Sequence, residues 1–136
     1  MVVKNSYSTA ALTNGQAVTW DFITDCDGVS VTLPLARATN AGFAFAGVAA
    51  ETIAVNSYGL IQVYGYHSAT RTRSKTSSGP GIHKGRPLAL NSAGSIFCLE
   101  SIVTASNAII IYPCAIALAD NSVWTSSAIA VFIKGM

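Results

Sequence analysis

The chain has 136 residues and a formal net charge of +2; 51% of it is hydrophobic and only 10% charged, where an average soluble domain carries roughly 25% charged residues. That length suits one domain, and a chain of this size buries only about two-thirds of its unfolded surface on folding. The composition therefore leaves apolar surface to be covered by neighbours, and it excludes a membrane helix, because the longest apolar run, Ala108 to Ala119, is broken by Pro113 and is shorter than the about 20 residues a span needs.

An outer-membrane barrel calls for longer alternating strands and aromatic girdles. The opening Met-Val-Val-Lys-Asn-Ser lacks the apolar core of an export signal. Three cysteines (Cys26, Cys98, Cys114) with no Cys-x-x-Cys spacing read as buried free thiols, which suits assembly in a reducing cytosol.

Residues 1–14 are rich in Ser, Thr and Ala with little periodicity. They read either as an N-terminal arm lying on a neighbouring subunit or as a frayed terminus. From residue 15 to 136 the chain reads as a single β-domain. Gln16 to Ile23 alternates, with Val18, Trp20 and Phe22 on one face and Thr19 and Asp21 on the other. Asp25-Cys-Asp-Gly28 is a turn, and Val29, Val31 and Leu33 form the partner strand of a first hairpin. Leu35 to Ala41 allows one helical turn, stopped by Asn40 and Gly42.

A central hairpin follows. Phe43 to Ala50 and Leu60 to Tyr66 are extended runs joined by a polar turn at Asn56, Ser57 and Gly59. Phe43 and Phe45 share a face, as do Leu60, Gln62, Tyr64 and Tyr66. Gly47, Gly59 and Gly65 are expected to make a bulge, a turn and a close backbone approach in that order. Residues 67–86 form a basic loop with Arg71, Arg73, Lys75, Lys84 and Arg86 and no acid. Arg86 to Leu90 is extended again, Asn91 to Gly94 turns, and Ser95–Thr104, Ile109–Leu118 and Ala128–Ile133 are Ile/Val-rich strands separated by 105–107 and 119–122. Short strands with frequent turns predict an all-β fold, a small antiparallel sandwich or barrel of jelly-roll type with at most one helical turn. No internal repeat is visible in the sequence.

The residues that chemistry would need do not assemble into a motif. Asp21, Asp25 and Asp27 superficially suggest a metal loop but lack the ligand number and closing Glu of an EF-hand. Glu51 and Glu100 offer an acid–base pair only in the sense that any two carboxylates do. His67 and His83 lack metal-ligand spacing, and there is no Gly-x-Ser-x-Gly elbow or phosphate-cradling loop. No cofactor is implied, and catalysis is not indicated. Arg71, Arg73 and Lys75 alternate, so an extended conformation would line them up as a positive stripe. Without interleaved aromatics the stripe suits an acidic protein surface better than nucleic acid; the alternative is a solvated loop. Tyr58, Tyr64 and Tyr66, with Trp20 and Trp124, pack in the core or else line a sugar-binding or protein-binding face.

Gly47-Val-Ala-Ala-Glu-Thr-Ile-Ala followed by Tyr58-Gly-Leu-Ile-Gln-Val-Tyr-Gly-Tyr66 resembles a segment of tailed-bacteriophage head decoration (cement) proteins, with Gly85-Arg-Pro-Leu-Ala-Leu90 and Ala130-Val-Phe-Ile-Lys134 in matching order. The resemblance spans roughly residues 42–134 and is close over the central 20 or so. It implies a non-catalytic virion protein, made in the host cytoplasm and bound to the capsid exterior. Its partners would be the major capsid protein and sister copies in a dimer or trimer. The N-terminal segment and the basic loop would make the capsid contacts. A lectin-like module of a tail or spike is the alternative.

Overall fold

Extended β-branched and aromatic runs, cut by Gly, Asn and Asp turns, produce ten strands in the computed structural model, which describes residues 1–25, 27–34, 44–73, 81–90, 99–101, 113–122 and 127–134. They are β1 (Val2–Asn5), β2 (Ala17–Trp20), β3 (Ser30–Thr32), β4 (Phe45–Ala49), β5 (Tyr58–Gln62), β6 (Tyr64–Thr72), β7 (Pro87–Leu90), β8 (Leu99–Ser101), β9 (Ala115–Ala117) and β10 (Ser127–Lys134). The fold is all-β, as the alternation requires, with no α-helix among the described residues. The helical turn expected at 35–41, the turn at 91–94 and the break at 105–107 lie outside them.

The strands close into two five-stranded barrels, β1-β3-β2-β4-β5 and β10-β6-β8-β7-β9. The two share one topology. Numbered from its own first strand, each barrel runs 5-1-3-2-4. Strands one and three are parallel (β1–β3, β6–β8) and the other pairs antiparallel. The correspondence reaches single hydrogen bonds. Leu12 and Ile53 exchange backbone bonds of 3.0 and 2.8 Å, as Ile82 and Asn121 do at 2.8 Å each. Gly15 N–H donates to Ala49 O and Gly85 N–H to Ala117 O, at 2.8 and 2.7 Å. The chain is thus a tandem structural repeat, contrary to the reading of its sequence.

The two halves differ in chemistry in compensating ways. A Cβ at Gly59 would lie 2.6 Å from the Ile53 side chain, so that pair has room for one large group. At the equivalent pair the large residue is Ile129, and Asn121 stands in place of Ile53. Asn5 Nδ2 donates to Ile53 O at 3.0 Å; in the second barrel the amide sits on the other partner, Asn121 Nδ2 donating to Thr72 Oγ1 at 3.0 Å.

Three local expectations are corrected. Residues 2–5 are not an arm, since β1 lies between β3 and β5 and the Lys4 N–H is bonded to Val29 O. The first hairpin forms, with Thr19 opposite Thr32 and Trp20 opposite Val31, but its alternation stops at Trp20. Asp21 is buried and Phe22 exposed, because Asp21 turns inward to accept from the Ile23 and Thr24 amides at 3.1 and 2.9 Å. In the central hairpin, β4 and β5 pair as expected, but β5 ends at Gln62 and the rest of the run, from Tyr64, opens the second barrel.

One apolar cluster fills the first barrel: Val3, Leu12, Val18, Val31, Leu33, Ala46, Ile53 and Ile61. The second barrel's cluster, from Ile82 and Leu88 to Val131 and Ile133, also takes in Ala17, Phe45 and Val48 of the first. The outer face of β2 and β4 is therefore seated on the second barrel, which is why all five residues of β4 are buried.

Candidate functional site

The exposed large apolar side chains among the described residues fall in two groups, one at the turn of the first hairpin (Phe22, Ile23 and Val29) and one on the sheets. Val2, Tyr58, Leu60, Tyr64 and Tyr66 are 57%, 67%, 47%, 66% and 61% exposed. They follow one line through the sheets. Val2 stands opposite Leu60 and Lys4 opposite Tyr58 on the outer face of β1 and β5. Tyr66 stands opposite Phe132, and Tyr64 opposite Lys134, on the outer face of β6 and β10. The alternation explains the placement: Ile61 is buried in the core, Val63 packs against it, and their neighbours must point outward.

Gln62 joins the two patches. Its side-chain amide donates to Tyr64 O at 3.1 Å and to Tyr66 O at 2.7 Å, bracing the bend where one barrel passes to the next. The Tyr64 and Phe132 rings meet edge to face, with centroids 5.2 Å apart and an interplanar angle of 81°. That geometry holds the rings in place beyond what area alone would give. The result is a fixed aromatic surface whose apolar faces meet solvent.

The glycines singled out in the sequence behave differently from one another. The bulge falls where expected: Gly47 opposes Val18 and Phe45 opposes Thr19, leaving Ala46 extra. Gly47 is also a close approach, since a Cβ there would lie 2.6 Å from Gln62 O. Gly59 is not a turn residue but lies within β5, pressed against Ile53. Gly65 is not a close approach; its φ is +95° and only the Gln62 amide lies near. Phe45 is buried between the barrels, and Phe43 lies outside the described residues.

The basic segment begins as a strand, and the two described members of the expected stripe, Arg71 and Arg73, share a face. Positions 67–72 belong to β6, and Arg71 and Arg73 alternate with buried Thr70 and Thr72, themselves half-buried. Lys84 and Arg86 are exposed at the turn before β7, a strand separated from β6 by β8. Lys75 lies outside the described residues.

Most of the titratable candidates support turns. Asp27 Oδ1 accepts from the Val29 and Ser30 amides at 2.8 and 2.7 Å, and these bonds hold its carboxyl below the usual range. Burial pushes Asp21 up, but Ser6 Oγ at 2.6 Å and the Thr24 and Ile23 amides outweigh it and the net direction is down. Asp25 accepts from Ser30 Oγ and pairs with Lys4 at 3.6 Å. Glu51 accepts from the Leu60 amide at 2.7 Å. His67 is buried with Nδ1 2.8 Å from Thr70 Oγ1, whereas His83 is exposed near Asp120. Trp20 packs on the first core; Glu100's side chain and Trp124 lie outside the described set.

Among the described residues no three His, Cys, Asp or Glu side chains gather as a metal site, and no helix is long and apolar enough to cross a membrane. Set against protein-family models, curated proteins and solved structures, the chain matches none. Of the two places the sequence leaves open for Tyr58, Tyr64 and Tyr66, core or binding face, the structure has them exposed. Gln62, a polar residue in phase with Leu60, Tyr64 and Tyr66, is the signal that favours the exposed choice.

Proposed function

We propose that this chain is a non-catalytic docking subunit that binds a larger protein assembly through the aromatic surface of β6 and β10. The observation that carries the reading is the exposure of Tyr64 and Tyr66 beside Phe132 on a braced sheet face. Tyrosine is enriched where binding energy concentrates, because it brings a large rigid apolar face at low entropy cost. The assembly proposed is the exterior of a bacteriophage head, built of a major capsid protein. Its support is the resemblance of residues 42–134 to decoration proteins, and many copies at many equivalent sites add up without any single strong contact.

The test uses purified heads lacking the protein, to which it is added back and scored by co-sedimentation. Tyr64→Ser and Tyr66→Ser should each weaken occupancy by roughly 30-fold, the effect of losing about 2 kcal/mol at a hot spot. Full occupancy by the double variant overturns the proposed surface. The same paired rings, with Lys134 opposite Tyr64, also suit a sugar face. Glycan-array binding lost in the same variants, with no head binding, supports the lectin-like reading instead.

A further inference from the structure

The molecule contains a worked example of how one of its faces is covered. In the first barrel the outer face of β2 and β4, together with the turn before β2, presents Gly15, Gln16, Ala17, Phe45 and Val48, all buried. Gly15 lies so close to β6 that a Cβ would sit 2.2 Å from Ala69 O, and Gly15 O accepts from Arg71 N at 2.8 Å. The shared hydrogen bonds and register place Gly85, Arg86, Pro87, Pro113 and Ile116 at the same positions of the second barrel. There Gly85, Arg86, Pro87 and Pro113 are exposed and Ile116 is half-buried. Among the described residues nothing covers this face.

Strand β6, which meets Gly15, and its partner β10 also have counterparts. Through the pairing of each first strand with its fifth, Ala69, Arg71, Ala128 and Ala130 of the second barrel correspond to Val2, Lys4, Tyr58 and Leu60 of the first. Val2 stands where Ala69 meets Gly15, and Tyr58 and Leu60 stand at the places of Ala128, itself exposed, and Ala130; all three larger side chains are exposed. Added bulk on this side matches its loss on the other, where Pro113 stands in place of Phe45.

We propose that copies of the chain associate head to tail, the β7–β9 face of one seated on the β1–β5 face of the next. The proposal rests on the reading of the chain as an assembly subunit and names its self-contact. The Arg71–Gly15 hydrogen bond is not repeated between copies, because the Lys4 N–H is given to Val29 O at 3.0 Å. The contact is made by side chains. It is heterologous, and grows until a ring closes or a filament continues.

Sedimentation velocity over a concentration series tests it with Leu60→Asp, Ile116→Asp and the fully exposed-face variant Pro87→Asp, each checked for native circular dichroism. The wild type should form concentration-dependent oligomers. Each variant alone should self-associate roughly 30-fold more weakly or worse. Mixing Leu60→Asp with Pro87→Asp leaves one intact pair of faces and should give a capped heterodimer. A monomeric wild type, dimers of either variant alone, or a mixture that stays monomeric each overturns the proposal. Should Ile116→Asp not fold, Pro87→Asp carries the same face. Head binding is scored separately on Tyr64 and Tyr66, so a monomer that still decorates heads sinks this inference and leaves the proposed function standing.

Discussion

His67 is a polar residue on the inner face of β6, opposite Val131, with Thr70 Oγ1 2.8 Å from its Nδ1. Burial pushes its pKa down, because the charged ring would lose hydration that this site does not replace. The folded protein therefore favours the neutral ring, while the unfolded chain takes up a proton near the ordinary value of about 6.5. More protons bound in the unfolded state means that stability falls with falling pH. The contribution is complete above about pH 7, declines as pH drops through 6.5, and levels off below the depressed folded pKa. The Tm should thus fall between pH 7.5 and pH 5, a window above the range in which Asp21 and Asp27 titrate, since both are lowered from 3.8. His67→Gln should flatten that slope. An equal slope in the variant would assign the pH dependence to other groups.

The turn before each second strand shows what an element's surroundings add to its backbone demands. Gly15 and Gly85 have φ of +83° and +85°. In both turns the residue after the glycine closes back by a bond to the carbonyl of the residue two before the glycine, Gln16 to Thr13 and Arg86 to His83. Alanine at either position costs about 1–2 kcal/mol for the left-handed backbone. At Gly85 nothing lies within 4 Å of an added Cβ, whereas at Gly15 it would meet the Ala69 carbonyl at 2.2 Å. Gly15→Ala must push the two barrels apart. Chemical denaturation should therefore show Gly15→Ala at least about 2 kcal/mol less stable than Gly85→Ala, in the range that overpacking a tight contact costs. Equal losses would mean that the backbone alone sets the requirement.

The same pair of turns explains what the sequence displayed and what it hid. Strands were legible because period-two alternation and turn residues, Asp27-Gly28 in the first hairpin and Asn56-Ser57 in the second, are local properties. The hairpins of β2 with β3 and of β4 with β5 follow from them. The repeat was not legible. Leu-Thr-Asn-Gly-Gln-Ala-Val-Thr-Trp (12–20) and Ile-His-Lys-Gly-Arg-Pro-Leu-Ala-Leu (82–90) fold alike, yet share only the glycine. What the repeat conserves is apolar positions, a left-handed glycine and total volume across facing pairs, as at Gly59 with Ile53 against Ile129 with Asn121. Residue identity is free to change under those constraints. The choice between core and exposed face for Tyr64 and Tyr66 stayed open for a related reason, since their outward direction depends on which side of β5 and β6 meets the core.

At the scale of the whole molecule, two barrels of one topology raise the question of whether they melt as two units. The packing argues for one. Ala17, Phe45 and Val48 belong to the first barrel's strands but to the second barrel's apolar cluster, and each is buried. Separating the barrels would expose the Phe45 ring and the outer face of β4 to water, at a cost like that of opening a core. Calorimetry should accordingly give a single transition whose van't Hoff and calorimetric enthalpies agree. Cys114 offers an independent readout. It is buried in that same cluster, its thiol bonded to Leu88 O at 3.5 Å, and burial pushes its pKa up to about 12. The thiolate needed for alkylation is then scarce in the folded protein at pH 8, and the sulfur is shielded as well. Iodoacetamide labelling of the Cys114 peptide, followed by mass spectrometry, should track global unfolding with the same midpoint as calorimetry. Phe45→Ala, which lies in the other barrel, should destabilise by about 3–4 kcal/mol and advance Cys114 labelling by the corresponding shift in midpoint. If Phe45→Ala lowers stability while Cys114 stays protected to its original midpoint, the barrels unfold separately and the shared cluster does not couple them.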